Sequence, residues 1–488
     1  MRGRILIYNL LAMPAPLRTA LYAILAILML MLMITVHELG HYLVGKIFKF
    51  KINEFSIGMG PAIFKRKMKS GEQFSIRAFP LGGFCAFEGE DDDKDDPNAF
   101  NNKKPWQRIL VLIAGAFMNY VLALLIIILS MSIYGQTVMG VQYARHDDAI
   151  YGQTIESQIP ADKSINDGEY ILSITKNGKK TNVYITVDLI SALNHAKKGD
   201  EVTLEIMKGD KNTEKKTIIL RSDVECKNIT EVTKVYEALG IGSAMQVEPT
   251  SENSLFKNGD FIIKIGKTGE EYKNATFVYS ADDIAYVLKN FDGDSFTIWT
   301  SRENAEAKRR EATRLVIQVI PPLSDELKAA ASSGGEAVMA ALGVKDTGVR
   351  SYYTAAKYMK LGFFRTIGHS FEYSFKIAGT VFRTLGQLLT GKLGLSAVGG
   401  TVTTIVTTTK VISYGLVYAL EIMSFMGVNL AVFNLLPIPA LDGARVVFCL
   451  IEWIRKKPVN RKVEAAVNGI GLILILGFAI LVDILQFI

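Results

Sequence analysis

The stretch "MLMLMITVHELGHYLVG" (residues 29–45) places two histidines and a glutamate at the end of an apolar run that covers residues 20–36. An ionisable side chain at the centre of a bilayer costs about 3 kcal/mol on insertion scales, so such groups are rare there and usually functional. Residues four apart lie on one face of a helix, so His37 and His41 can bind the same ion. In the sequence H-E-x-x-H, the histidines bind zinc and the glutamate takes a proton from water at the metal. The pattern predicts His37 and His41 as zinc ligands and Glu38 as the general base.

The alternative is that these histidines only make hydrogen bonds near a helix end. The chain contains five histidines, and the other three are His146, His195 and His369. Because the sequence is poor in histidine, two of them in one motif with Glu38 favour the metal site.

The composition indicates a membrane protein with additional polar domains. A chain of 488 residues with 49% hydrophobic residues and a mean hydropathy of +0.23 is too long for one domain and too apolar for a purely soluble enzyme. Further apolar runs at 109–133, 411–436 and 465–488 each approach the roughly 20 residues that span a bilayer. We therefore expect an α-helical polytopic membrane protein with about four transmembrane helices. The three cysteines are scattered and imply no disulfide framework.

The basic residues indicate how the chain is oriented in the membrane. The net charge is +7, but lysine and arginine cluster beside the apolar runs, at 46–69, 103–108 and 455–462. The positive-inside rule makes these segments cytoplasmic, so the 134–410 region is extracytoplasmic. No nucleic acid partner is indicated. A signal peptide is excluded because the first apolar run ends in HELGH and not in a small-residue cleavage site.

The extracytoplasmic region contains an internal repeat. Residues 166–179 align with 257–270, and residues 188–206 align with 283–301. Each copy predicts a strand, a helix that starts at an aspartate N-cap, a Gly-Asp turn and another strand. This order resembles a PDZ domain, in which the "LGIG" at 239–242 would present backbone N–H groups to a peptide carboxylate. The alternative is a pair of β-rich spacers with degenerate grooves. The mixed basic and apolar residues 350–392 predict an amphipathic helix, or a pair, on the outer membrane surface.

A third zinc ligand is expected, because catalytic zinc usually has three protein ligands and one open position. The candidate is Asp442, in "NLAVFNLLPIPALDGARVV" (residues 429–447). Pro437 and Pro439 cannot continue a helix. Irregular backbone at membrane depth is tolerated only inside protein or beside a wet cavity. The alternative is that Asp442 simply caps a helix.

Taken together, these motifs resemble the site-2 protease family of zinc intramembrane metalloproteases, and most closely its bacterial regulator-of-sigma-E protease group with tandem PDZ domains. The resemblance rests on HELGH, "FSIGMGPAIF" (55–64), "FPLGGF" (79–84), "AFNNKKPWQRILVLIAG" (99–115), "GLSAVGG" (394–400) and "NLLPIPALDG" (434–443). It implies that His37, His41 and Asp442 bind Zn²⁺, that Glu38 is the base and that Asn434 lies near the scissile peptide. It also implies membrane-dipping β-hairpins at 52–87, where Gly58 and Gly60 let an extended substrate approach. Departures from the family pattern occur at Ala116, Thr401 and Ala444.

The resulting expectation is a zinc-dependent intramembrane endopeptidase in the bacterial cytoplasmic membrane. Its partners would be the lipid bilayer and single-span membrane proteins, such as anti-sigma-factor-like proteins or signal-peptide remnants, including those already cut by an upstream protease. A catalytically inactive, membrane-anchored PDZ scaffold is the alternative, and the intact His37, Glu38, His41 and Asp442 argue against it. A transporter with broken helices fits poorly, because the four spans show no inverted repeat.

The same reading predicts the domain order. The expected parts are a first transmembrane helix with HELGH (1–51), a cytoplasmic-side β-hairpin and acidic loop (52–104), a second transmembrane helix (105–134), PDZ-like domain 1 (135–226), PDZ-like domain 2 (227–322), an extracytoplasmic amphipathic helical region (323–410), a third transmembrane helix with NLLPIPALDG (411–454), a cytoplasmic loop (455–464) and a fourth transmembrane helix (465–488).

Overall fold

The computed structural model describes residues 14–90, 94–145, 159–209, 212–252, 254–293, 295–303, 314–394 and 398–487. Residues 395–397 of the GLSAVGG motif, and His146, lie outside this range. The helices are α1 (Ala15–Ile47), α2 (Pro105–Ile133), α3 (Thr186–Leu193), α4 (Val232–Leu239), α5 (Ala281–Lys289), α6 (Asp325–Ser333), α7 (Gly335–Ala341), α8 (Phe363–Leu389), α9 (Thr401–Ser413), α10 (Leu416–Leu435), α11 (Asp442–Arg455) and α12 (Arg461–Phe487). The strands are β1 (Ile52–Lys67), β2 (Gln73–Phe87), β3 (Gln136–Val141), β4 (Glu169–Lys176), β5 (Lys179–Asn182), β6 (Glu201–Lys208), β7 (Asn212–Ile219), β8 (Ser243–Pro249), β9 (Asp260–Lys267), β10 (Thr276–Phe277), β11 (Phe296–Glu303), β12 (Arg314–Val319), β13 (Val344–Tyr352) and β14 (Thr354–Met359).

The chain divides into two compact units, one formed by residues 1–136 with 360–488 and the other by residues 137–359. Within the described residues, the first unit holds four helices that are long and apolar enough to cross a membrane. These are Pro16–Ile47, Pro105–Ile133, Leu416–Leu435 and Lys462–Gln486. The prediction of a polytopic membrane protein with about four spans is confirmed. The third of these helices is shorter than expected, since the chain leaves the helix after Leu435 and resumes it as α11 at Asp442.

Helix α2 is the centre of the first unit. It packs against α1, α8, α10 and α11, and small residues such as Ala114, Ala116 and Ala123 are buried along it. At the crossing with α1, a Cβ added to Gly40 would lie 2.3 Å from the carbonyl oxygen of Ala114. The two backbones can approach this closely only because Gly40 has no side chain. Helix α2 continues without a break through Ala116, where the family pattern has proline.

The β1–β2 sheet is attached to the C-terminal end of α1 through Glu72. Its carboxylate accepts hydrogen bonds from Lys46 Nζ at 2.7 Å and from the Tyr42 hydroxyl at 2.9 Å. Burial alone would raise the pKa of Glu72, but the hydrogen bonds from Lys46, Ser70 and Tyr42 outweigh it and lower the pKa to about 2. The sheet is therefore held to the helix that carries HELGH.

The strands of this sheet fold back on themselves. Residues 54–57 of β1 have partners on both sides, in residues 73–76 and in residues 83–86 of β2. Residues 83–86 pair with β1 on one side, and no other strand of the described residues pairs with their second side. The segment of β1 just before Gly58 is therefore interior to the sheet, and residues 83–86 form an open edge.

The second unit consists of two repeats, each built on its own sheet. The first repeat has the strand order β14-β3-β4-β6-β7 with β5 beside β4, and the second has β12-β11-β9-β8-β13 with β10 beside β9. Each repeat has a separate apolar core, which includes Ile171 and Leu204 in the first and Ile262 and Ile298 in the second. The β-rich repeat read from the sequence is present in the structure.

The helix starts in the repeats differ from the prediction in one respect. Asp188 and Asp283 lie at the third helical position and not at the N-cap. The Asp188 carboxylate accepts hydrogen bonds from the backbone N–H groups of Tyr184 (2.8 Å) and Ile185 (3.1 Å). Asp283 does the same with Tyr279 (2.8 Å) and Ser280 (2.9 Å). In both repeats a carboxylate inside the first turn satisfies the backbone before the helix.

Two consecutive strands after the second repeat complete both sheets. β13 pairs with the edge of β8, and β14 then pairs with the edge of β3 in the first repeat. The expectation of an amphipathic helix from residue 350 is wrong for this stretch, because the helix α8 begins only at Phe363. Alternating side chains at 344–359 fit the pleat of a strand, and the edges of β8 and β3 provide backbone partners.

The LGIG segment closes the first repeat, whereas the sequence suggested that it opens the second. Gly240 O accepts a hydrogen bond from Arg145 N (2.8 Å), and Gly343 O, in the matching "LGVK" after α7, accepts one from Thr250 N (2.9 Å). Both glycines have left-handed backbone, with φ of +76° and +70°. The N–H groups of Gly240, Ile241 and Gly242 already donate to backbone carbonyls at 2.9–3.0 Å. In this conformation these three N–H groups are therefore not available to a peptide carboxylate.

Candidate metal centre

Three side chains that are far apart in sequence meet in the first unit. His37 and His41 project from one face of α1, and Asp442 is the first residue of α11. Asp442 Oδ2 lies 3.0 Å from His37 Nε2 and 3.4 Å from His41 Nε2, and the two Nε2 atoms are 3.1 Å apart. Both histidines are buried, with exposed fractions of 8% and 7%. The structure thus brings together the three ligands predicted from the sequence.

The spacing of these donor atoms fits a zinc ion. Tetrahedral zinc with ligand distances of about 2.0–2.1 Å separates neighbouring ligand atoms by about 3.3 Å. Two imidazole nitrogens and one carboxylate oxygen at 3.0–3.4 Å from one another match three corners of such a tetrahedron. Among the described residues this is the group of histidine, cysteine and acidic side chains that could hold a metal ion. The fourth corner is left for water or substrate.

The outer partners of the histidines orient their metal-facing nitrogens. His41 Nδ1 donates a hydrogen bond to the backbone oxygen of Val111 at 2.8 Å, which leaves the Nε2 lone pair free for a metal. The Asn434 amide lies 3.3 Å from His37 Nδ1. A histidine that binds metal through Nε2 carries its proton on Nδ1, and the Asn434 carbonyl oxygen can accept it after the amide turns by 180°. Asn434 thus contacts a ligand in this structure, a role that adds to the predicted substrate contact.

The turn before Asp442 is held in place by α12. Pro437 and Pro439 keep residues 436–441 out of a helix, as predicted, and Ala440 has a positive φ of +77°. The N–H of Ala440 donates to Asn468 Oδ1 at 3.2 Å, and a Cβ added to Gly471 would lie 2.3 Å from Pro439. The position of the third ligand therefore depends on direct packing between this turn and α12.

Glu38 lies beside the three ligands and next to the open edge of β2. It is not part of the ligand group. The backbone N–H of Cys85 is within hydrogen-bonding reach of the Glu38 carboxylate. A Cβ added to Gly83 would lie 3.5 Å from Glu38 Cγ. The predicted base is therefore placed between the ligands and residues 83–86.

The glycines predicted to approach the substrate contact the chain itself. A Cβ added to Gly58 would lie 2.7 Å from the carbonyl oxygen of Phe79, and one added to Gly60 would lie 2.4 Å from the Phe79 ring. Both glycines have a positive φ, so they let β1 bend against β2. The residues that the sequence reasoning missed are Gly83 and Cys85. The Gly-Gly of FPLGGF was the available signal, since paired glycines in a strand indicate close backbone approach.

Comparison with known proteins extends the likeness over nearly the whole chain. The model of peptidase family M50 matches residues 25–478. A protein of Clostridium perfringens named as a zinc metalloprotease is 29% identical over 466 residues, which cover 95% of this chain and 98% of that protein. The regulator of sigma E protease of Haemophilus influenzae is 26% identical, covering 94% and 98%. The regulator of sigma-E protease RseP of Escherichia coli is 25% identical, covering 92% and 95%.

The family match spans both HELGH and Asp442. In the structure, His37, His41 and Asp442 form a cluster whose donor atoms are spaced to bind a zinc ion. The chain therefore belongs to peptidase family M50 and is a zinc-dependent metallopeptidase.

Proposed function

We propose that this peptidase cleaves the transmembrane segments of single-span membrane proteins in the bacterial cytoplasmic membrane. The observation that carries the proposal is the position of the site. His37, His41 and Asp442 lie within a unit whose long helices are apolar enough to cross a bilayer, and Glu38 adjoins an open strand edge. Relatives named as regulators of sigma E support substrates such as anti-sigma-factor-like proteins, with signal-peptide remnants as a second class. The two repeats would lie on the extracytoplasmic side.

The role of each side chain in the reaction follows from its contacts. His37, His41 and Asp442 would hold the zinc ion, which supplies a Lewis acid that lowers the pKa of water and polarises the scissile carbonyl. The Glu38 carboxylate accepts a proton from the attacking water and passes it to the nitrogen of the leaving amine. Val111 O and Asn434 keep the histidine rings aligned.

Zinc dependence is the first test of this proposal. The purified protein in detergent is expected to hold one zinc ion per chain, because three ligands converge on one point. Removing the ion with a chelator should abolish cleavage of a single-span model substrate, and added zinc should restore it. Magnesium serves as the control, since an ion that prefers oxygen ligands in an octahedron fits this donor set poorly. Full cleavage by zinc-free protein would contradict the proposal.

We further propose that the substrate is held as a strand on residues 83–86 of β2. A peptide bond in a transmembrane helix is hydrogen-bonded within the helix, so the substrate must be unwound before water can reach it. The second side of residues 83–86 has no strand partner among the described residues and lies beside Glu38. Strand addition satisfies the backbone of an extended peptide and fixes its register. Gly58 and Gly60 would support this arrangement by letting β1 bend against β2.

Strand addition predicts an alternating response to backbone methylation of the substrate. In a strand, successive N–H groups point to opposite sides, so only every second one faces the enzyme edge. N-methylation at those positions should weaken cleavage about tenfold each, and methylation at the positions between them should have little effect. The measurement is kcat/KM for a series of synthetic substrates with one methylated amide each.

A variant at the edge provides the matched control. Gly83→Val places a branched side chain next to Glu38 and should lower cleavage of every substrate in the series while zinc remains bound. Ala62→Val, on β1 away from the open edge, should leave the pattern unchanged. A response that lacks the two-residue period would exclude strand addition.

A further inference from the structure

Glu90 connects the open strand edge to the helix that carries Asp442. One oxygen, Oε2, accepts a hydrogen bond from the backbone N–H of Phe87 at 3.1 Å, at the end of β2. The other oxygen, Oε1, forms an ion pair with Arg445 Nη1. Arg445 lies on α11, one turn after Asp442. A single side chain therefore links β2 to the third metal ligand's helix.

Aromatic and basic side chains pack around the Glu90–Arg445 pair. The Arg445 guanidinium lies over the Phe100 ring, 5.4 Å from its centroid, and the Arg108 guanidinium lies 5.1 Å from the same ring. Phe100 is 2% exposed. The side chains of Glu90 and Arg445 are 20% and 22% exposed, so the pair is largely shielded from solvent. An ion pair with a stacked arginine holds its geometry better than a solvent-exposed pair does.

A second ion pair on α11 gives an internal comparison. Arg108, on α2, pairs with Glu452 at 2.8 Å and is 1% exposed. It joins α11 to α2. Both pairs therefore attach the same helix to its neighbours, and the Glu90 pair also reaches the strand that lies beside Glu38.

We propose that Glu90 and Arg445 are positioning residues that set the register between the substrate-binding strand and the metal. The inference rests on the function proposed above, in which the substrate pairs with residues 83–86. If the distance from this edge to Asp442 shifts, the scissile carbonyl no longer meets the metal and Glu38 together. A misplacement of about 1 Å can cost about 100-fold in rate. Turnover should suffer more than substrate binding.

The test compares two double variants. Glu90→Leu/Arg445→Met removes the linking pair, and Arg108→Met/Glu452→Leu removes the pair that holds α11 to α2. Replacing both partners of an ion pair with apolar side chains removes its two charges together, so both proteins should fold. The first double variant should melt at a somewhat lower temperature, because the buried Glu464 also lies near Arg445 and loses that attraction. The first double variant should show a 10- to 100-fold lower kcat, a KM within about threefold of wild type and one bound zinc. The second should keep kcat within about threefold.

A cobalt-substituted sample reports on the metal geometry itself. The visible absorption of tetrahedral Co²⁺ should change in the Glu90→Leu/Arg445→Met protein and stay as in wild type in the other double variant.

Equal losses of kcat in the two double variants, or a wild-type kcat in the first, would overturn the inference. If the first double variant does not fold, Arg445→Lys decides the question. It keeps the charge but loses the planar fork, so kcat should fall while folding is retained, and an unchanged kcat would again overturn the inference. Absence of zinc or cleavage in the wild-type protein would instead overturn the proposed function.

Discussion

Glu38→Gln is expected to reduce cleavage about 100- to 10,000-fold while the protein still binds one zinc ion. Glutamine has nearly the same shape as glutamate but cannot take up a proton at neutral pH, and general base catalysis contributes about 10²–10⁴-fold. Zinc should remain because the ligand group consists of His37, His41 and Asp442 and does not include Glu38. The measurement combines metal analysis with single-turnover cleavage of a single-span substrate.

Glu88→Gln is the matched control for this variant. Glu88 is also a glutamate of the first unit, where it pairs with Lys51 at 2.7 Å and is not a member of the metal-ligand group. Its replacement should leave cleavage near the wild-type rate. Substantial cleavage by Glu38→Gln would rule out the assigned base, and loss of zinc from that variant would show that Glu38 acts on the metal.

Asp442→Ala should lose both zinc and activity. Its carboxylate oxygen is one of three donors within 3.0–3.4 Å of one another, and two histidines alone leave the ion with half of a tetrahedral shell. We expect the zinc affinity to fall at least about 100-fold and cleavage to fall below detection. Zinc affinity can be measured by competition with a chromophoric chelator, and cleavage by gel analysis of the substrate.

The control for Asp442 is another acidic residue of the same unit. Asp483 on α12 accepts hydrogen bonds from the backbone N–H groups of Val402 and Thr403, both at 3.0 Å, and so caps α9. Asp483→Asn should lower the melting temperature by a few degrees, because a helix cap contributes about 1 kcal/mol, and should leave zinc in place. If Asp442→Ala retained zinc like Asp483→Asn, the third ligand would have to be sought elsewhere.

The metal site could be predicted from the sequence because its chemistry leaves local signals. His37, Glu38 and His41 lie within one helical turn, and their place at the end of an apolar run is unusual enough to require an explanation. Asp442 could be found because Pro437 and Pro439 interrupt a helix at membrane depth, which is costly without a function. The structure unites these residues although about 400 positions separate them.

Other features leave no such signal. Glu90 belongs to the acidic run "EGEDDDKDD" at 88–96, which reads as an exposed, solvated loop. Its pairing with Arg445 depends on the packing of Phe100 between two arginines, and no local pattern encodes this. The open edge at 83–86 was missed for a similar reason. Which side of a strand remains unpaired depends on how β1 and β2 fold back, and composition does not report that.

The closure of both repeats by β13 and β14 constrains the order in which the polypeptide can acquire its structure during synthesis. The edge of β3 has to wait for a strand that is made only after the whole second repeat, so the sheet of the first repeat is incomplete when that repeat leaves the ribosome. Contacts between such distant segments form slowly, and an open strand edge invites pairing with other chains. Both edges are then closed by strands joined through a single residue, Tyr353. Neither sheet is complete until residues 344–359 have been made. A nascent chain that stops before residue 344 therefore leaves the edges of β8 and β3 unpaired.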